Sequence, residues 1–251
     1  MKNFITKPFW IFLLLFLLFW NQLAAHFNTL ILPSPAETLA ELNSIIKNGV
    51  LVKSLFITLK RTFIGYLAAV ITGFVLAVTL KKFIFLRRAL RPFITIIQAA
   101  PPVVWIALAV VWFGVAEDLT PIFLIFIVSM PVIFVNIFQG IDSIDYGLIE
   151  MAEAYSTPKY KIFRDIYLPG ILPSTVSALS IAFSFAWKSS VFAEFIGSSS
   201  GIGYQISMAN SNLETAELFA WTAVLVVFML FVEYYLLERL KQKVSRWRYE
   251  K

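Results

Sequence analysis

The sequence predicts an all-α, polytopic membrane protein that crosses the bilayer about six times, and three observations predict it. Of the 251 residues, 59% are hydrophobic and only 14% charged, with a mean hydropathy of +0.80; a soluble domain runs about 45–50% apolar and about 25% charged. Six stretches approach the roughly 20 apolar residues that a spanning helix needs: Phe9–Phe27, Thr62–Leu80, Phe93–Val115, Pro121–Gln139, Ile171–Ile196 and Leu218–Leu237. The basic residues between these stretches alternate in density, sixteen of 21 falling on the side that would carry both termini.

The first span follows Lys7 and ends near Ala24-Ala25. Leu23 is a poor match to the small residue that a signal-peptidase site needs, so the segment is expected to stay in place. Asn28–Arg61 reads as a long connection on the far side. Leu32-Pro33-Ser34-Pro35 is extended, because each Pro restricts the residue before it, and Ala36–Asn48 reads as a helix at the interface. His26 is an interfacial residue rather than a ligand. The second span carries Gly65, Ala69, Gly73 and Ala77 at intervals of four, a stripe that lets another helix approach closely. Pro101-Pro102 interrupts the third span; prolines are tolerated where neighbours satisfy the freed carbonyls. Val115–Thr120 is a short turn carrying Glu117 and Asp118.

Gly140–Pro169 is too polar to span. Ile144, Leu148, Met151 and Tyr155 recur at helical spacing on one face, with Glu150 and Glu153 on the other. Thr157 suits an N-cap and Pro158 the first position of a second short helix. That helix carries Ile162, Phe163, Ile166 and Tyr167, and Pro169 is expected to end it. The stretch reads as a helix–turn–helix outside the bilayer. It is equally a loop packed on its own protein and a docking element for a partner.

The fifth span carries Ser174, Ser177, Ser180, Ser184 and Lys188 within about 120° of one another. A central Lys costs at least about 2.5–3.5 kcal/mol on the insertion scale, so it should face a wet cavity or a partner. The stripe either lines the path of a polar solute, with Glu194 further along the helix, or packs helices, with Lys188 paired to a carboxylate such as Glu233. Ser198–Gly203 is a Gly-rich turn that reads as a gate or a plain loop.

Charge sets the expected topology. Lys2 and Lys7, the five basic residues from Lys81 to Arg91, then Lys159, Lys161 and Arg164, and six from Arg239 to Lys251 share one side. Lys47, Lys53, Lys60 and Arg61 lie opposite, and Lys188 lies within a span. The positive-inside bias makes both termini cytoplasmic. The net charge of +6 reads as membrane flanks, not a nucleic-acid surface. The absence of Cys and the single His exclude disulfides, thiolate chemistry and multi-His metal cages. No G-x-x-x-x-G-K-[ST] phosphate loop occurs, and no Ser–His–Asp or paired-carboxylate set is arguable, so no enzyme and no cofactor are expected.

Gly140–Pro169 resembles the cytoplasmic loop of binding-protein-dependent ABC importer permeases. The family loop reads E-A-A, a Gly three residues further on, then I-x-L-P. Here Glu150-Met151-Ala152 stands for the first part and Ile166, Leu168 and Pro169 for the last, with Ser156 in place of the Gly. Leu32-Pro33-Ser34-Pro35, Trp112-Phe113-Gly114, Ala186-Trp187 with Ala193-Glu194, and Gly201-Ile202-Gly203 resemble the subfamily handling nitrate, sulfonates, taurine, bicarbonate and thiamine or riboflavin precursors. Together these cover about residues 30–210.

The resemblance implies a single type I importer permease domain over residues 1–251, with a core of about 55–240, in a bacterial inner membrane. It implies a homodimer, cytosolic ATPase subunits docked on the loop, and an extracytoplasmic solute-binding protein. Glu150, Ala152, Ser156, Thr157, Ile166, Leu168 and Pro169 would form the coupling loop: Glu150 anchoring it or pairing with an Arg of the ATPase, Ser156 at the tight contact, Pro169 where the loop meets the fifth span. Ser177, Ser184, Lys188 and Glu194 are the path candidates for a small polar or anionic solute. The competing readings are an ion-coupled secondary transporter or channel using Lys188 and Glu194, and a membrane scaffold that only recruits a cytosolic protein.

Overall fold

The computed structural model describes residues 7–115, 118–237 and 239. Lys2, Glu117, Lys241, Lys243, Arg246, Arg248 and Lys251 lie outside the described residues. Among those described, every regular element is helical: α1 (Lys7–Ala24), α2 (Pro35–Lys47), α3 (Val50–Lys82), α4 (Ile84–Ala99), α5 (Pro102–Phe113), α6 (Leu119–Asp142), α7 (Tyr146–Ala154), α8 (Lys159–Ile162), α9 (Leu168–Gly197), α10 (Ile202–Ser211) and α11 (Thr215–Val232). A π-type turn, Phe163–Tyr167, joins α8 to α9, and a second, Glu233–Leu237, extends α11.

Four continuous stretches are long and apolar enough to cross a bilayer: Val50–Lys81, Leu119–Asp142, Lys159–Gly197 and Thr215–Tyr235. The α4–α5 pair, bent by 97° between its halves, is a fifth when taken as one broken span. The bend sits at Pro101-Pro102. Neither residue has an N–H to continue the ladder, and Ala100 is pushed to extended backbone (ψ 128°). α1 supplies the sixth expected segment but is short. Its 18 residues rise about 27 Å, against a hydrocarbon core of about 30 Å. It lies at the periphery, held where Trp20 Nε1 donates to the Pro33 carbonyl (3.0 Å).

α6 is the central helix. α3 runs parallel to it: Gly65 lies against the Ile122 carbonyl and Ile125, and Gly73 against Met130 and Ile133, each so close that a Cβ would stand 2.8–3.0 Å away. Ala69 and Ala77 are fully buried. The four-residue stripe is therefore the α3–α6 seam. α9 runs antiparallel to α6, with Gly140 against Ser174, Gly197 against Thr120 and the Ser129 hydroxyl donating to the Ala182 carbonyl (3.4 Å). One end of the bundle gathers Arg61, Asp118, Glu194 and Ser200. The other gathers Lys81 and Asp142, which form an ion pair, with α7 and α8.

Two boundaries differ from the expected ones. α3 begins at Val50, twelve residues before Thr62, because the polar Ser54, Thr58, Arg61 and Thr62 are buried in the protein rather than exposed in a connection. The basic stretch from Lys81 to Arg91 is mostly helical, broken only at Phe83. α2 matches its expected position and is started by a capping box: Ser34 Oγ accepts the Glu37 N–H (3.2 Å), and Glu37 Oε2 accepts the Ser34 N–H (2.7 Å).

Candidate functional site: a loop at one end, a cavity beside Lys188 and an ion-pair cluster

α7 starts where Asp145 Oδ1 accepts the Gly147 N–H (2.8 Å). Ile149 and Ala152 point into the bundle and are buried with Ile141, Ile144, Ile162 and Ile171 in one cluster. The loop is thus fastened to α6 and α9. Leu148, Met151 and Tyr155 are exposed, Tyr155 at 81%. The expected single apolar face is therefore corrected: Ile144 turns inward, while the other three turn out beside the exposed Glu150 and Glu153. The helix has apolar residues on both sides because it packs on one and presents the other.

Ser156 has φ +52°, the left-handed conformation in which glycine is favoured. The α7 terminus closes as a Schellman motif. The Thr157 N–H donates to the Ala152 carbonyl (2.9 Å) and the Ser156 N–H to the Glu153 carbonyl (2.8 Å). Thr157 is consequently not the N-cap of the next helix. Pro158 occupies that place (φ −57°, ψ 139°), and its carbonyl accepts from Lys161 (2.8 Å) and Ile162 (3.2 Å).

Pro169 does not end a helix. It lies in the first turn of α9, directly after the π-type turn that holds Ile166 half-buried. There the Leu168 N–H reaches back five residues to the Phe163 carbonyl. The widened turn opens the ladder where Pro169 has no hydrogen to give, so helix runs on from Lys159 to Gly197.

The serine stripe divides. Ser174 packs on Gly140. Ser177 is exposed, whereas Ser180 is buried and bonded to the Val176 carbonyl (2.9 Å). Ser184 lies 3.3 Å from Glu233 Oε2, so the carboxylate considered for Lys188 is held by a hydroxyl instead. Lys188 opens into a cavity of about 670 Å³ between α4, α5, α6 and α9, lined also by Gln98 and Ser189. Gln98 and Ser189 carried no signal of their own in the sequence.

Glu194 lies fully buried at the far end of α9. Arg61 Nη1 binds its Oε1 (3.1 Å); the Thr58 hydroxyl (2.8 Å) and the Gly203 N–H (3.1 Å) donate to Oε2. Arg61, 2% exposed, also donates to Asp118 Oδ1 through Nε (2.7 Å) and to the Ser200 carbonyl through Nη1 (2.7 Å). The guanidinium holds the Asp118 carboxyl below its ordinary value. Gly201 has φ +102°, and a Cβ there would meet the Glu194 carboxylate at 2.4 Å. The Gly-rich turn is thus clamped onto a paired carboxylate. That leaves one of the two charges of the carrier reading inside an ion pair.

Residues 65–246 match the family model described as the inner membrane component of binding-protein-dependent transport systems. The chain is 31% identical to a putative aliphatic sulfonates transport permease protein of Escherichia coli, over 75% of this chain and 71% of that one. It is 30% identical to a nitrate import permease protein of Synechococcus elongatus, over 79% and 75%. It is 26% identical to the taurine transport system permease protein of Escherichia coli, over 89% and 82%. Among solved structures, an inward-facing methionine ABC transporter chain matches with a TM-score of 0.65 at 20% identity, covering 78% of this chain and 96% of that one. These structural neighbours share the fold.

Proposed function

This chain belongs to the family of binding-protein-dependent transport system inner membrane components, and from that premise we propose how it works as an ABC importer permease. It translocates a small polar, anionic solute handed over by an extracytoplasmic binding protein. Two copies assemble in a bacterial inner membrane and are driven by separate cytosolic ATPase subunits. Of the solutes named for its relatives, sulfonate and nitrate are anions and taurine is a zwitterion that carries a sulfonate; the shared oxyanion group supports this class.

The observation that carries this reading is the outward side of α7. Leu148, Met151 and Tyr155 are exposed on a helix that lies outside the spans, while its other side is sunk into the bundle core. An exposed apolar cluster beyond the bilayer marks a surface that another protein covers. The basic residues at the same end of the bundle, Lys81, Lys159 and Lys161, favour the cytoplasm for it, and the proposal takes both termini to share that side.

The geometry suits a push or pull. α7 is bonded to its own turn at Ser156, and its Ile149 and Ala152 share a buried cluster with Ile162 of α8, Ile141 of α6 and Ile171 of α9. Movement of an ATPase gripping Tyr155 and Ser156 would carry the ends of both spans with it. Glu150, exposed beside the grip, is the carboxylate for an ATPase arginine; Ile166, Leu168 and Pro169 form the joint where the loop passes into α9. Replacing Ser156 by Trp is expected to leave ATP hydrolysis by the reconstituted complex running while uptake falls at least about tenfold. Uptake and hydrolysis still coupled as in wild type would contradict the role given to this turn.

A further inference from the structure

Three polar side chains, the exposed Lys188 and Gln98 and the buried Ser189, make no hydrogen bond or ion pair among the described residues and line one open cavity. Lys188, Gln98 and Ser189 border the space of about 670 Å³ between α4, α5, α6 and α9. Lys188 lies nine residues before the end of α9 at Gly197, about 13 Å along the helix axis, and so near the bilayer middle. Among the described residues no carboxylate lines the cavity, and its remaining wall is apolar, with Phe185, Phe192 and Val103 among the residues that form it. Pro101-Pro102 breaks the α4–α5 helix at its edge, which is where discontinuous helices open a bilayer to a polar solute.

We infer that this cavity is the intramembrane binding site for the transported solute, and that it takes a compact monoanion whose oxyanion end meets Lys188. The inference rests on the importer reading above. One ammonium with no counter-charge in the wall selects against cations, and it leaves a dianion half-compensated. Gln98 supplies an amide donor and Ser189 a hydroxyl for the remaining oxygens. The phenylalanines admit a short apolar body behind the charged head. A carboxylate and an alkylsulfonate share this chemistry.

The chain has no cysteine, so a single introduced one is a unique reporter. Val103→Cys places a thiol in the wall without touching the three polar groups. The full chain in lipid nanodiscs, open on both faces, is treated with two methanethiosulfonates, one bearing a 2-sulfonatoethyl and the other a 2-trimethylammonioethyl group. In either reaction the thiolate forms a mixed disulfide and methanesulfinate leaves. Rates are normalised to those at an exposed Asn210→Cys. The anionic reagent is expected to react roughly tenfold or more faster than the cationic one, by local concentration in a cleft of one sign. Lys188→Met should abolish that preference and Lys188→Arg keep it. Equal rates, a preference indifferent to Lys188→Met, or no reaction with either reagent would each overturn the site. Failure here with an ATPase still co-purifying would count against the cavity alone; loss of the ATPase from the unmodified chain would count against the importer assembly.

Discussion

Ser156 holds a backbone conformation that costs an L-residue roughly 1–2 kcal/mol, with φ at +52°. Ser156→Gly is therefore expected to stabilise the protein by up to about 1 kcal/mol, read as a higher thermal midpoint, and Ser156→Val to lower it. At the opposite end of the bundle Arg61 and Glu194 are both sealed from solvent. Breaking a buried pair from one side costs about 3–5 kcal/mol, because a charge is left alone. Arg61→Met should be poorly stable, and adding Glu194→Gln should recover part of the loss, as a double-mutant cycle of unfolding would read. Asp118 gives the pH dependence. Its folded value is depressed by Arg61, so its contribution is fully present above the unfolded aspartate value of about 3.9. It is lost only as pH falls through the lower folded value. Stability should be flat from this source between neutral pH and about 4, then fall, and Asp118→Asn should flatten that fall. Because the side chain is 47% exposed, added salt should shrink the effect.

At the scale of elements, close approach decides what each helix tolerates. A Cβ at Gly203 would stand 2.1 Å from the Val191 carbonyl oxygen, a backbone atom that cannot step aside. Gly203→Ala should abolish folded protein in the membrane, scored as detergent-stable monodisperse material, whereas Gly49→Ala, with φ +71° but open space around it, should cost only the backbone strain. The α3–α6 seam was legible because small residues recur every fourth position, a period set by the helix itself. So were α2, as the helix that follows the extended Leu32–Pro35 stretch, and the broken third span, from Pro101-Pro102. The first part of α3 was not. Ser54, Thr58, Arg61 and Thr62 look like a solvated connection until the carboxylate 133 positions away that neutralises Arg61 is brought to it. The continuation of helix through Pro169 was equally hidden, because a π-type turn depends on packing and leaves no mark in residue spacing. Lys188 was legible as a charge needing a cavity; Gln98 and Ser189 acquire meaning only once α4 and α9 are side by side.

For the whole molecule, α3, α6 and α9 form one packed block, with the proposed ATPase handle at one end and a clamped turn at the other. The handle belongs to the block because Ile149, Ala152 and Ile162 share a core with Ile141 and Ile171. A motor that grips only the exposed side of α7 can therefore move two spans at once. The measurement that tests this most directly is co-purification of the affinity-tagged full chain from its native membrane, with and without the paired change Leu148→Asp and Met151→Asp. Both side chains are exposed, so the variant should insert and fold as the parent does. A stoichiometric nucleotide-hydrolysing subunit is expected with the parent chain and is expected to be lost from the variant. An ATPase that stays with both would contradict the proposed handle, as would a parent chain that carries none.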